Sequence, residues 1–275
     1  MAITAGMVKA LREKTGLPMM ECKKALTEAG GDEEQAIEIL RKIGAGKIEK
    51  MASRAATQGR VACFADAEKK CAGLVELRCE TAPVAENEEF IKLAELAAQA
   101  AALADSPTPD NIRDLPSPED ASRTIGDMMD EVFNRMRENM KFARVGRLTG
   151  EIGRYIHHNS QVGVLIEMNN ECSPDVKADL CMHYAALNPP VFRREDVDPK
   201  QAEAQRAEYA EDAKGKPEPI IEKIVSGKMN RWYSEFVFLE QPFVKDDKIS
   251  VSDFLKSISP DLTVLNVIRY AVGEE

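Results

Sequence analysis

Three histidines, His157, His158 and His183, and six cysteines, Cys22, Cys63, Cys71, Cys79, Cys172 and Cys181, are the side chains in this 275-residue chain best equipped for nucleophilic, basic or soft-metal chemistry. A thiol beside an imidazole makes an acyl-transfer nucleophile, so Cys22, Cys79 or Cys181 with His183 is one reading. Any chain with buried thiols offers such pairs, and the pairing carries little weight by itself. No two cysteines form a CxxC pair, and all six sit inside apolar patterns, which predicts reduced, mostly buried thiols ahead of zinc ligands or disulfides. The sequence holds no GxxxxGK[ST], GxGxxG, HExxH or GxSxG signature. The expectation is therefore a protein that is not an enzyme, uses no cofactor or metal, and acts by binding.

Binding candidates concentrate in the stretch Thr15–Leu26, TGLPMMECKKAL. Gly16 can take the positive φ that closes one helix, and Pro18 suits the first turn of the next, where its missing N–H leaves nothing unpaired. Met19, Cys22 and Leu26 then share a helical face, with Met20 outside it. Unbranched thioethers suit either an irregular core or an adaptable contact surface, and spacing alone leaves both readings open. His183, on an apolar helical pattern, is open in the same way: a satisfied core residue or a side chain at an interface.

A net charge of −10 repels phosphate backbones, which argues against direct nucleic-acid binding and for a protein partner. Hydrophobic residues make up 44% of the chain, enough to build two or three compact units. The longest apolar runs fall short of the roughly 20 residues a membrane span needs, so no membrane contact is expected. Nothing at the N-terminus has the basic-then-apolar form of a secretory leader, and the expected location is the cytoplasm.

Periodicity supplies the elements that would position these residues. The expected class is α+β: an N-terminal three-helix bundle, two related α+β core subdomains with antiparallel sheets, and an inserted antiparallel helical hairpin. Thr4 can cap a helix to about Thr15, the second helix stops at Gly30-Gly31, and Asp32 with Gln35 resembles the capping box of a third. Gly44 and Gly46 are expected to end that helix, leaving 47–54 as a linker. A period of two over VACFAD and GLVELRCE predicts a hairpin, followed by a helix over about 88–103. A second helix from about Ala121 carries the stripe Ile125, Met128, Met129, Val132, Phe133, Met136 and Met140. After RVGRL, the segments GRYIHH and QVGVLIEMNNE and a helix over about 174–188 repeat the order of hairpin, loop and helix, an internal repeat. FVFLE and TVLNVIRYAV are expected to return as further strands. Two helical patterns, 201–213 and 217–232, form an arm that self-associates into a homodimer, touches a partner or is a solvated insertion. The boundaries are 1–54 for bundle and linker, 55–149 for the first core subdomain, 150–192 plus 234–275 for the second, and 193–233 for the arm.

TGLPMMECKKALTEAGGDEEQAIEILRK, and after it ENMKFARV, GRYIHH, SGKMNRW, EQPFV and VIRYAVGEE in the same order, resemble the translation elongation factor Ts family, the nucleotide-exchange factors for elongation factor Tu. The resemblance covers most of the chain. It implies that the bundle is like a ubiquitin-associated domain and grips a helix in the nucleotide-binding domain of elongation factor Tu, through Arg12, Met19, Met20 and Lys23. It implies that His183, within LCMHYAALNPPVF, lies on a core helix and touches the same partner near its phosphate-binding loop. The family's other working segment, usually Thr-Asp-Phe-Val and placed near the partner's magnesium ion, corresponds here to Thr81-Ala82-Pro83-Val84. The carboxylate and the aromatic wedge are both missing, and Pro83 fixes its own φ. Displacement would then rest on loop shape, on Val84 and on His183. The chain stops just after Gly273, where the resemblance implies that a C-terminal helix with added partner contact is lacking. The implied function is guanine-nucleotide exchange on elongation factor Tu through its phosphate and magnesium site. The alternative is a binding or chaperone-like module with reduced exchange activity.

Overall fold

The computed structural model describes residues 2–274, with positions 45 and 49 as backbone only. The fold is α+β and divides into two units, one of residues up to 152 with 156–165 and the end from 268, the other of 153–155 and 166–267.

The first unit opens with the bundle. Helix α1 (Ala5–Thr15) starts where the Thr4 hydroxyl accepts from the Met7 N–H, and it ends at Gly16, whose φ of 68° carries its N–H back to the Arg12 carbonyl at 2.8 Å. Helix α2 (Met19–Glu28) follows at once. Helix α3 (Glu33–Met51) begins with Asp32 accepting from the Gln35 N–H at 2.9 Å. Val8, Leu11, Leu17, Cys22, Ala25, Leu26, Ala36 and Leu40 fill the space between the three. The expected stop at Gly44 and Gly46 does not occur. Apolar spacing continues beyond them, and Ile48 and Met51 pack on the core of the main body, which holds the last turns helical. Gly44 serves close packing instead: a Cβ there would lie 2.8 Å from the Asn134 carboxamide oxygen. Much of the expected linker is thus the end of one long helix.

Strands β1 (Gln58–Asp66) and β2 (Cys71–Cys79) pair antiparallel, from Gln58 opposite Cys79 to Asp66 opposite Cys71. A single helical turn, α4 (Ala82–Ala85), leads to α5 (Glu88–Leu103), which Asn87 caps by accepting from the Glu89 N–H. Helix α6 (Ile125–Met136) starts later than Ala121 because Thr124 and Asp127 form a capping box, and Met140 lies beyond its end, buried. Strand β3 (Lys141–Thr149), which apolar alternation did not announce, completes the sheet β1-β2-β3. Alternation along β2 splits its side chains between two layers. Val75, Leu77 and Cys79 join Phe90, Leu93, Met129 and Phe133 from α5 and α6, whereas Ala72 and Leu74 join Val61, Leu165 and Ile268 on the opposite face.

Strands β4 (Glu151–Ile156) and β5 (Val162–Met168) lie side by side and are followed by α7 (Pro174–Leu187), capped by the Ser173 hydroxyl. The arm consists of α8 (Pro199–Asp212) and α9 (Glu218–Phe236), closed by an ion pair from Lys228 to Asp212 at 2.7 Å and by the Lys228 ammonium 5.0 Å above the Tyr209 ring. Val225 and Met229 are buried, while Ile220 at the start of α9 is exposed. FVFLE is not a strand: Val237 and Phe238 are both fully buried, which neighbouring residues on a one-sided strand cannot be, and Phe238–Glu240 forms a 3-10 turn. A short ribbon of β6 (Pro242–Phe243) and β7 (Asp246–Ser250) leads into α10 (Val251–Ile258), a helix that the capping pair Ser250 and Asp253 could have signalled. Strand β8 (Val264–Ala271) closes the second sheet, β4-β5-β8. Among the described residues no helix is long and apolar enough to cross a membrane.

Candidate functional site

The corner between α1 and α2 is built to be stiff. Thr15 donates through its hydroxyl to the Leu11 carbonyl at 2.7 Å, Gly16 reverses the chain, and Leu17 is buried 5% exposed as the anchor of the turn. The Cys22 thiol donates to the Leu17 carbonyl from within the bundle. With Leu17 and Cys22 facing inward, Met19 and Met20 face out, 49% and 64% exposed. Met19 is exposed although its spacing puts it in line with Cys22 and Leu26, which are buried. Arg12 and Lys23 are exposed as well. The opposite side of α2 holds Glu21, which accepts from Lys47 of α3 at 2.8 Å and from Arg137 at 2.9 Å. Burial pushes that carboxyl up, but the two cationic donors outweigh it and leave the group below its ordinary value.

The Thr81–Val84 segment lies in the same unit. It is a helical turn, with Thr81 extended before it and Pro83 in its first positions, where a missing N–H costs nothing. Thr81, Ala82 and Pro83 are exposed, while Val84 is half-buried and packs on the apolar core of α5 and α6. Glu138 holds Thr81 at both ends: one carboxylate oxygen accepts from the Thr81 N–H at 3.0 Å and the other from its hydroxyl at 2.6 Å. The Cys79 thiol donates to the Thr81 carbonyl at 3.2 Å. Burial, with the Glu138 carboxylate adding to it, pushes that thiol up to about 12, so Cys79 is no thiolate nucleophile near neutrality.

His183 sits in the other unit and exposes none of its surface. Its Nδ1 accepts from the Val244 backbone N–H at 3.1 Å, which places the ring proton on Nε2, and Nε2 donates to Gln241 Oε1 at 3.0 Å. The rings of Phe238 and Phe243 lie 5.6 and 5.9 Å away. Burial lowers its pKa, the Gln241 hydrogen bond opposing this only in part. In the free chain the ring is thus a satisfied core residue. What it presents to solvent is Val244, 47% exposed and fixed through its backbone by the imidazole.

Among the described residues no group of three or more His, Cys, Asp or Glu side chains is arranged to hold a metal ion. Comparison with known proteins places these features. A family profile described as Elongation factor TS matches residues 80–274. Elongation factor Ts of Nitratidesulfovibrio vulgaris is 38% identical over 100% of this chain and 97% of its own length, and that of Clostridium kluyveri is 37% identical over 99% and 93%. The chain belongs to the elongation factor Ts family.

Membership places it in translation elongation, in a family concerned with nucleotide exchange. The elongation factor Ts match begins one residue before the Thr81–Val84 turn and includes His183, and full-length relatives extend the likeness through the bundle. Within this elongation factor Ts fold, sequence reasoning overlooked Glu76, Arg137, Glu138 and Asn139. Glu138 and Asn139 open ENMKFARV, but nothing local to that run marks its polar side chains as partners of residues more than fifty positions away.

Proposed function

We propose that this chain is a guanine-nucleotide exchange factor that binds elongation factor Tu carrying GDP, perturbs the partner's phosphate and magnesium site, and so releases GDP for replacement by GTP. The nucleotide's covalent bonds stay intact throughout. What carries the reading is a stiff corner with two unpartnered methionines and, in the same unit, an exposed proline-stiffened turn, in a member of the elongation factor Ts family.

Exchange needs a grip and a probe. Arg12, Met19, Met20 and Lys23 supply the grip, with exposed apolar area and two exposed cations. Thr81, Ala82 and Pro83 supply the probe, with Val84 anchoring it. His183 contributes by holding Val244 at the surface. Linkage sets the energetics: whatever factor this chain imposes on GDP affinity, GDP imposes on the affinity for this chain. A thousandfold loosening requires about 4 kcal/mol of contact favouring the distorted partner, a size that a few well-placed side chains supply.

Stopped-flow release of a fluorescent GDP from the cognate elongation factor Tu tests this. Release should accelerate and saturate with rising concentration of the chain, and a dissociation rate unmoved at saturation would sink the proposal. One observation favours a second reading: Ala82 and Pro83 offer neither charge nor aromatic ring, and Val84 packs on its own core. A binding or chaperone-like module with reduced exchange would form the complex by calorimetry yet accelerate release little.

A further inference from the structure

Three consecutive residues leaving α6 reach three different segments. Arg137 stands at φ 60°, ψ 32°, a left-handed conformation uncommon for a residue with a Cβ, and its guanidinium donates to Glu21 on α2 at 2.9 Å. The other Glu21 oxygen is taken by Lys47 of α3, so one carboxylate gathers α2, α3 and the end of α6. Glu138 turns to Thr81 and holds its N–H and its hydroxyl. Asn139 is buried; its side chain donates to the carbonyls of Ala52 at 3.2 Å and Arg54 at 2.7 Å, and its N–H donates to Glu80 at 2.7 Å.

We propose that Arg137, Glu138 and Asn139 are positioning residues: a strap that fixes the Thr81–Val84 turn relative to the partner-gripping corner, so that binding at the corner bears on the turn. This rests on the exchange reading and adds to it the element that couples its two surfaces. A single helical turn is marginal without outside support, because nucleation orders several residues for one hydrogen bond. Two charge-assisted hydrogen bonds from one carboxylate fix the orientation of Thr81 as well as its place. The left-handed backbone at Arg137 ends α6 there, so that Glu138 and Asn139 leave the helical path and meet segments other than the one Arg137 holds.

The test uses the full chain with Glu138→Ala, Glu138→Gln and Arg137→Gly. Glycine keeps the left-handed helix end and deletes the side chain that carries the guanidinium. Two quantities are read: hydrogen–deuterium exchange at the Thr81 amide in the free chain, and the maximal rate and half-saturating concentration for release of fluorescent GDP. Glu138→Ala should speed exchange at Thr81 and lower the maximal release rate, each about tenfold, with the half-saturating concentration moving less than about threefold. Glu138→Gln retains one acceptor and should fall between. Arg137→Gly should lower the maximal rate while Thr81 stays protected. The double variant Arg137→Gly with Glu138→Ala should be no slower than Glu138→Ala alone, because both break one connection. A chain that accelerates release while Glu138→Ala matches its maximal rate overturns the strap alone. Multiplying effects in the double variant, or changes confined to half-saturation, overturn it too. A wild-type chain without effect on release removes the exchange reading and the coupling role together.

Discussion

Glu76 on β2 stands directly opposite Arg144 on β3, and the Arg144 Nε donates to its carboxylate at 2.5 Å in a place where Glu76 exposes no surface at all. The Arg78 Nε donates to the other oxygen at 2.6 Å and the Gly273 N–H to that same oxygen at 3.1 Å, so one carboxylate joins the central strand, its neighbour and the end of the chain. Arg144 also donates to the Ala271 carbonyl and lies 4.7 Å above the Tyr270 ring. Removing one member of such a buried group strands the others without water. Glu76→Ala is therefore expected to destabilise the chain by about 3 kcal/mol or more, seen as a lower urea midpoint at unchanged slope. A midpoint equal to wild type would show that the pair contributes nothing.

The two methionines of the corner should matter for binding and not for stability. Neither supports the fold, so Met19→Ala and Met20→Ala should each leave unfolding free energy within about 0.5 kcal/mol of wild type. Each should still raise the concentration of chain needed for half-maximal GDP release by about three- to tenfold, the range of a contributing interface residue. Thermal melts paired with release titrations decide it, and a loss of stability without a change in titration would return them to a structural role.

The buried imidazole gives a pH dependence of definite sign. Because its folded pKa is depressed, His183 is neutral in the native state and gains its proton more readily on unfolding. Its contribution to stability is whole above the ordinary histidine value of about 6.5 and drains away as pH falls from there toward the depressed folded value. Urea midpoints measured from pH 8 down to 5 should fall more steeply for wild type than for His183→Gln. The variant should be less stable at pH 8, since Val244 loses its fixed acceptor. Parallel profiles would mean that His183 is not the group responsible.

Thiol chemistry offers a further check. With its pKa pushed up to about 12, Cys79 should resist alkylation by iodoacetamide at pH 8 until the chain unfolds. Cys79→Ser should keep full GDP-release activity. Mass spectrometry of a timed alkylation would reveal rapid native labelling if the thiol were a working nucleophile.

Much of this molecule was legible from local pattern. The caps at Thr4 and Asp32, the reversal at Gly16, the first hairpin, α5 and the arm all lie where periodicity and capping chemistry put them, because each depends on residues within one or two turns. Strand β3 was not legible. Arg144 and Arg147 interrupt its apolar alternation, and what makes them welcome there is Glu76 and the Ala102 carbonyl, both far off in the chain. The run of α3 past two glycines was hidden likewise, since the surface that holds Ile48 and Met51 belongs to other elements.

By itself the sequence determined the helices and strands with strong local signals, the family likeness and the identity of the exposed turn, since hydrogen-bonded caps and apolar period act over a few residues. Only the tertiary structure decided which polar groups meet. It put His183 inside with both ring nitrogens engaged, and it brought Arg137 to a carboxylate 116 positions away. Such pairings are set by the packing of whole elements, and no spacing along the chain encodes them.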